Sequence, residues 1–404
     1  MKQQVKYLLQ RLHDKARRAL KKQPELPLIY NANSIDEAPD RKRALLVYLP
    51  RSFLLDQGDA AFLTHQNLKQ CRQIAALLGE FDYVVDVADR HNLKRLARRD
   101  YDLVIADRAD LNGVDDLSAS RAPKVFLATS MNYALHNRNV RRRHELLFER
   151  RKVKIEIRRP YPELMPYLAR SDAIVGFGNK FIMSTWRDRF AGPIYPFNNY
   201  GFKDTPFVFD GKDFAAARKN FLFFASRSQM QKGLDLLLEL FPKHPDLHLY
   251  ICSQFDGEHD FCARYRKELY NTPNVHPIGW IAVRSALYDD LMKRCAYVIH
   301  PTCSEGQPGS VVQCMYSGLI PLVTNWAGID TEDFGLTFEE SLGAIDRTVV
   351  SLSQLPEEWH KRRSIRTRQV AETRYSENAF MNRWREILAD ILKPNPVKVL
   401  SVGT

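Results

Sequence analysis

The stretch AYVIHPTCSEGQPGSVVQCMYSGLIPLVT, Ala296 to Thr324, decides how this chain is read. It opens on an apolar run, Ala296–His300, closed by Pro301, which is the pattern of a buried strand. Ser310–Ser317 follows as a helix, and Ile320–Thr324 as a second strand. Strand, helix and strand in that order predict a parallel βαβ unit. Ligands of such units sit at the carboxyl ends of the strands, so Pro301–Gly309 stands where a binding loop belongs. Gly306 and Gly309 let the backbone approach a ligand closely. The amides of Ser310, Val311 and Val312 open a helix, a ready anion site, while Pro308 has no N–H and only shapes the turn. Glu305, an acid beside that anion site, is placed to accept from substrate hydroxyls. On pattern alone, an ordinary strand-to-helix turn explains the same residues equally well.

Working outward, the alternation continues in both directions. Before residue 200, strands are expected at Ala44–Leu49, Tyr83–Val87, Tyr101–Ala106, Lys124–Thr129 and Ala173–Phe177, with helices over Phe62–Leu78 and Leu93–Arg99. After it, strands are expected at Asn220–Ala225, Leu247–Cys252, Val275–Gly279, Ala296–His300 and Ile320–Thr324. The join, Phe197–Asp213, is rich in Pro, Asn, Gly and Asp. An α/β chain of 404 residues with two such halves predicts two facing doubly wound domains, 40–200 and 201–375, with a cleft between them. A helical stretch from Pro356 to about Leu392 ends in a Pro-containing tail, so 376–404 forms a last helix and tail.

Two further signals flank the cleft. Arg227 and Lys232 follow a strand, and a forked guanidinium with a point-charge ammonium suits a diphosphate. Alone they read first as two solvated surface cations. Gly328, after the strand Ile320–Thr324, is placed to border a base or ribose, or simply to make a turn. No Asp-x-Asp pair is placed for a metal.

The formal net charge is +12, and its distribution matters more than its size. Residues 1–22 carry eight Lys/Arg against Asp14 alone, and residues 138–159 carry ten against three Glu, so each patch is +7 and the rest is near neutral. That excludes a chain built throughout to coat nucleic acid. In the first patch Val5, Leu8, Leu9, Leu12, Ala16, Ala19 and Leu20 recur at helical spacing, predicting a basic amphipathic helix over 1–25. Such a helix either lies on an anionic membrane surface or packs on its own protein. The second patch reads either as a solvated helix, with Leu146, Leu147 and Val153 packing, or as a cationic surface for a phosphorylated or acidic acceptor. His136, His65 and Asn67 fall near the expected cleft. Charges interrupt the amino-terminal segment too often for a signal peptide, and no apolar run approaches membrane-spanning length. Six cysteines without a C-x-x-C pair read as free thiols. The expected location is cytoplasmic, with a peripheral contact to the inner face of the membrane left open.

Taken in order, these motifs resemble the retaining glycosyltransferases of family 4, within the GT-B superfamily of group 1 glycosyltransferases. The resemblance covers about residues 220–330. Arg227 and Lys232-Gly233 come first. Pro301…Glu305 follows, then Met315-Tyr316-Ser317-Gly318-Leu319-Ile320-Pro321-Leu322-Val323, with Gly328 beyond. In the first half only the loop Asp56–Asn67 and the pair Gly178-Asn179 take part. The resemblance implies a GT-B fold, two facing Rossmann-like domains with a nucleotide-sugar cleft. It implies a hexosyltransferase that uses a nucleotide-diphosphate sugar and a glycan or lipid-linked acceptor, of surface polysaccharide or lipopolysaccharide type, with retention of configuration. Arg227 and Lys232 would stabilise the leaving diphosphate, and Glu305 would bind donor-sugar hydroxyls. Gly306, Gly309, Ser310, Val311 and Gly328 would border the donor, and the last helix would cross back to the first domain. No metal or further cofactor is implied, and no nucleic acid partner is expected. Where the family holds the ribose with a second glutamate, this chain has Gln313, which accepts a hydrogen bond without charge assistance. That departure keeps open a degenerate GT-B protein that binds nucleotide or glycan without catalysis.

Overall fold

The computed structural model describes residues 26–393 apart from 39, 57, 98, 99, 114 and 120. The amphipathic helix expected over 1–25 and the tail from 394 lie outside the described residues. The first half forms one sheet from β1 (Arg43–Val47), β2 (Val84–Ala88), β3 (Leu103–Ala106), β4 (Lys124–Ala128), β5 (Ala173–Phe177) and β6 (Ile194–Phe197), in the order β2-β1-β3-β4-β5-β6. The second half forms another from β7 (Asn220–Phe224), β8 (His248–Cys252), β9 (Val275–Pro277), β10 (Tyr297–His300), β11 (Ile320–Val323) and β12 (Leu336–Thr337), in the order β12-β11-β10-β7-β8-β9. Every strand pair is parallel.

Parallel strands need both faces covered, which is why β2, β3, β5, β10 and β11 are buried along their whole length. Their continuous apolar runs are the signal read in the sequence, and the strands lie within two residues of their expected bounds. Two strands were not expected. β6 contains Pro196, which cannot donate to a ladder and is tolerated at the sheet edge it occupies. β12 has two residues, too few for any period to show. The helix expected over Leu93–Arg99 is a single 3-10 turn, Leu93–Arg95.

Seven helices position the site: α1 (Gln66–Gly79), α2 (Tyr133–Arg151), α3 (Gln229–Lys232), α4 (Leu234–Leu240), α5 (Gly309–Tyr316), α6 (Glu357–Arg374) and α7 (Glu377–Ile391). Helix α2 corrects the reading of the second basic patch. Asn132 caps it, its side-chain oxygen accepting from the Ala134 amide at 2.9 Å. Leu147 packs, as the solvated-helix reading expects, but it joins the hydrophobic core of the second half. The arginines on that face are not solvated. Arg143 is 1 % exposed and pairs with Asp235, which is 0 % exposed, at 2.9 Å and with Glu340 at 2.7 Å. Arg150 pairs with Glu239 at 3.0 Å and Asp235 at 3.2 Å, and Arg151 with Glu268 at 2.8 Å. Arg158, just beyond the helix, pairs with Asp260. Arg138, Arg141, Arg142, Lys152 and Lys154 stay exposed. Four of the ten cations are thus the first half's side of an internal ion-paired seam, while six, Arg159 among them, stay exposed.

After α6 the chain breaks at Tyr375–Ser376, and Ser376 caps α7 by accepting from the Ala379 amide at 3.1 Å. Helix α7 returns to the first sheet. Phe380, Trp384, Ile387 and Leu388 enter its core, with the Trp384 ring 5.2 Å from that of Phe197. Among the described residues no helix is long and apolar enough to cross a membrane.

Trp384→Ala is expected to lower unfolding free energy by about 3–5 kcal/mol, because a fully buried indole leaves a cavity. Arg385→Ala, on the exposed face of the same helix, where the guanidinium meets Glu80 and Asn382, should leave it nearly unchanged. Asp235→Ala strands part of a buried guanidinium and should cost about 3 kcal/mol. Denaturant titration followed by far-ultraviolet circular dichroism checks all three.

Candidate active site

The loop between β10 and α5 is pinned to α3 beneath it. The Gln231 carbonyl accepts from the Cys303 amide at 2.9 Å and from Thr302 Oγ1 at 3.0 Å, while its Nε2 donates to the Ser304 carbonyl at 2.7 Å. Gly233, which ends α3 at φ +87°, makes this contact possible: a Cβ there would lie 2.1 Å from the Pro301 carbonyl oxygen. The Lys-Gly pair seen in the sequence therefore has a packing reason for its glycine.

This packing brings Lys232 and Glu305 into a direct ion pair. Lys232 is only 6 % exposed. Burial, with the neighbouring Arg159 adding to it, pushes its ammonium down to about 7. The carboxylate of Glu305 works in the opposite sense and holds the proton on. Below the pair lies His300, 0 % exposed, stacked on Phe223, with Nε2 3.8 Å from Glu305 Oε1 and neither ring nitrogen hydrogen-bonded. Burial, then the charge of Lys232, keeps this imidazole neutral. In the sequence His300 was simply the last residue of a strand.

His136 does reach the site. Its Nδ1 is 2.7 Å from Ser304 Oγ and its Nε2 3.2 Å from the Arg159 carbonyl. Burial lowers it to about 4, so it is neutral at physiological pH. A carbonyl only accepts, so Nε2 carries the proton and Nδ1 accepts from the Ser304 hydroxyl. Arg159, held at φ +57°, is the one cation of the second patch that bears on Lys232, and the sequence did not single it out. Arg227 stands apart from the buried pair; it is exposed and its Nε donates to Gln254 Oε1 at 3.0 Å.

Helix α5 opens differently from the expectation. The amides of Val311 and Val312 donate to the Pro308 carbonyl at 3.1 and 3.2 Å, so they are spent within the turn. Gly309 and Ser310 instead face a cavity of about 140 Å³ whose other walls include Gln66, Phe202, Ser226, Trp280 and Val283. Gln313 also lines it, but both ends of its amide are engaged. Its Oε1 accepts from the Phe202 amide at 3.0 Å, and its Nε2 donates to Thr205 Oγ1 at 2.5 Å. Gly306 and Gly328 lie at the contact between the halves. A Cβ on Gly306 would sit 2.9 Å from the Thr129 carbonyl at the end of β4, and one on Gly328 would sit 2.2 Å from the Gly306 carbonyl. The structure thus gathers Lys232 and Glu305 at one point, and Gly309, Ser310 and Gln313 around a cavity whose lining includes neither member of that pair. Arg227 stands at its rim, next to Ser226.

Residues 209–333 match the family model described as glycosyl transferases group 1. That segment contains Arg227, Lys232, Glu305 and all of α5. No curated protein matches the chain. Solved structures align over most of its length. Sucrose-phosphate synthase from Thermosynechococcus elongatus is 13% identical, with 87% of this chain and 99% of that chain covered and a TM-score of 0.61. Anabaena HepE in complex with UDP and glucose is 12% identical, covers 87% and 100%, and gives 0.56. WaaG, a glycosyltransferase involved in lipopolysaccharide biosynthesis, is 14% identical, covers 87% and 99%, and gives 0.50. At such identities the likeness is one of fold. The two facing parallel six-stranded sheets are the GT-B architecture, and the second of them carries the group 1 glycosyltransferase segment.

Proposed function

We propose that this protein is a glycosyltransferase that moves a hexosyl group from a nucleotide-diphosphate sugar to a hydroxyl of a glycan or lipid-linked acceptor, with retention of configuration. The observation that carries this reading is the buried Lys232–Glu305 pair beside the open end of α5. A buried ammonium, and backbone amides at the open end of the next helix along the same loop, suit the negative charge that develops on a departing diphosphate. An adjacent carboxylate suits sugar hydroxyls. Lys232, the amides of Gly309 and Ser310, and Arg227 at the rim would hold the diphosphate. Glu305 would hold the sugar, and the apolar walls at Trp280 and Val283 the base. Gly306, Val311 and Gly328 shape the loop rather than donate to the ligand in this reading, which invokes no metal. The HepE complex, with UDP and glucose bound to the same fold, supports the choice of donor class. A surface polysaccharide or lipopolysaccharide acceptor, used in the cytoplasm at the inner face of the membrane, fits the basic residues 1–22.

A second reading, a binding protein without catalysis, is favoured by Gln313, whose amide already serves Phe202 and Thr205. A mass-spectrometric screen of nucleotide sugars separates the two. Turnover of one of them by the wild type, abolished in Glu305→Gln, is expected of a transferase. Binding without turnover by the wild type sinks the transferase reading.

The titration of Lys232 supplies another test. Burial pulls its ammonium down to about 7 while the Glu305 carboxylate works against that, so the free protein begins to lose this proton between pH 7 and 9. A diphosphate beside it favours the charged form and raises its pKa. UDP binding at pH 8 is therefore expected to take up a proton, and affinity should fall as pH rises from 7 to 9. Calorimetry in two buffers of different ionisation enthalpy measures the uptake. Lys232→Met should abolish it and weaken binding about tenfold or more, the loss of one charge-assisted hydrogen bond. Proton-neutral binding by the wild type would contradict the assignment of Lys232.

A further inference from the structure

The geometry points to helix α2 of the first half as the element that positions the Glu305 loop of the second, with His136, Asn139 and Arg143 as positioning residues. This rests on the reading of Glu305 as the ligand of the donor sugar. The three residues are spaced by three and four, so they share one face of α2. Each contacts a different residue of the loop. Arg143 Nη2 donates to the Pro301 carbonyl at 2.9 Å, Asn139 Nδ2 to the Cys303 carbonyl at 3.0 Å, and His136 accepts from Ser304 Oγ at 2.7 Å. Just before the helix, the Met131 amide donates to the carbonyl of Glu305 itself at 3.2 Å. The contacts form a register: as the chain advances from 131 to 143, the partners step back from 305 to 301. A loop contacted once is merely touched. One contacted in order at four of the residues 301–305 has its path fixed by the other half as well as by its own anchorage to Gln231.

Arg143 is itself held in place. Its Nη1 donates to Asp235 at 2.9 Å and its Nε to Glu340 at 2.7 Å, both on the second half. That leaves Nη2 aimed at Pro301 by a rigid planar fork. A lysine would keep the charge, but its single ammonium cannot span both carboxylates and the carbonyl. The consequence is that the loop, already pinned to Gln231 of its own half, is clamped from the other side by α2, and Glu305 is held toward Lys232 between the two.

Hydrogen exchange on the full chain tests this without any substrate. In Arg143→Lys and in Asn139→Ala, amides of the 301–310 segment are expected to exchange at least about tenfold faster than in the wild type, with β3, β4, β7 and β8 unchanged. The loss should fall on the sugar more than on the diphosphate: kcat/KM for the nucleotide sugar found in the screen drops about tenfold or more, while UDP affinity falls by less than that. Unchanged exchange of 301–310 in both variants would overturn the inference. So would faster exchange spread evenly over both sheets in Asn139→Ala, the variant that leaves the buried ion pairs intact. If the wild type turns over no nucleotide sugar, the transferase reading fails, and the exchange comparison still decides whether α2 sets the loop.

Discussion

The arrangement of the molecule depends on the buried pair between Arg143 and Asp235. A guanidinium and a carboxylate taken out of water are costly unless each has the other, and their contribution to net stability is modest even then. What such a pair does enforce is geometry. Arg143 belongs to a helix that follows β4 of the first sheet, and Asp235 to α4 under the second. Neither can be withdrawn from the other without stranding a charge in a dry place. Glu340, Arg150, Glu239, Arg151 and Glu268 extend the same seam outward. The loop that carries Glu305 runs beside it, so the position of the carboxylate inherits the constraint.

The cavity at the end of α5, about 140 Å³, is smaller than the ~300 Å³ or more that ligand pockets commonly offer, and a second one of about 500 Å³ shares its Phe202 wall. On the side away from α2 the contacts are mixed. The Asn199 amide donates to Gln307 at 2.6 Å and Gln66 lies against Gly309, while Asn179 Nδ2 donates to Asp330 at 2.7 Å and Lys69 of α1 pairs with Glu377 at 2.6 Å. Apart from Lys69–Glu377, these are single hydrogen bonds, of which a neutral one contributes about 1 kcal/mol net, against the buried and multiply paired arginine of the α2 seam.

Much of this was legible in the sequence. Apolar runs such as Leu103–Ala106 and Ala173–Phe177 announce buried parallel strands because both faces are covered and no polar alternation interrupts them. The site loop was legible because its glycines, proline and lone acid fall between a strand and a helix. The seam was not. Arg143 finds Asp235 92 residues away and Glu340 197 residues away, and a running charge total records signs without partners. The same blindness made the whole patch look like a surface for an external anion. His300 was hidden for a simpler reason: at the end of a strand, nothing distinguishes a histidine that faces a carboxylate from one that packs. Gln313 was read through the charge it lacks, whereas its amide ties the cavity wall to Phe202 and Thr205, partners more than a hundred residues earlier.

The pairing of Lys232 with Glu305 bears on what such a site can select. In a buried site each charge is tolerable because the other neutralises it. A ligand that takes one of them must supply a partner for the second. A nucleoside diphosphate alone offers anionic oxygens to Lys232 but nothing to Glu305, which would be left facing a neutral His300. A free sugar offers hydroxyls to Glu305 but leaves Lys232 with no anion. A molecule carrying both, joined at the distance between them, releases the pair without stranding either charge, whereas UDP alone binds Lys232 at the cost of an unpaired Glu305. Read as a transferase site, the pair therefore discriminates for the intact donor over its own fragments, and it does so by the penalty on unpaired buried charge rather than by shape.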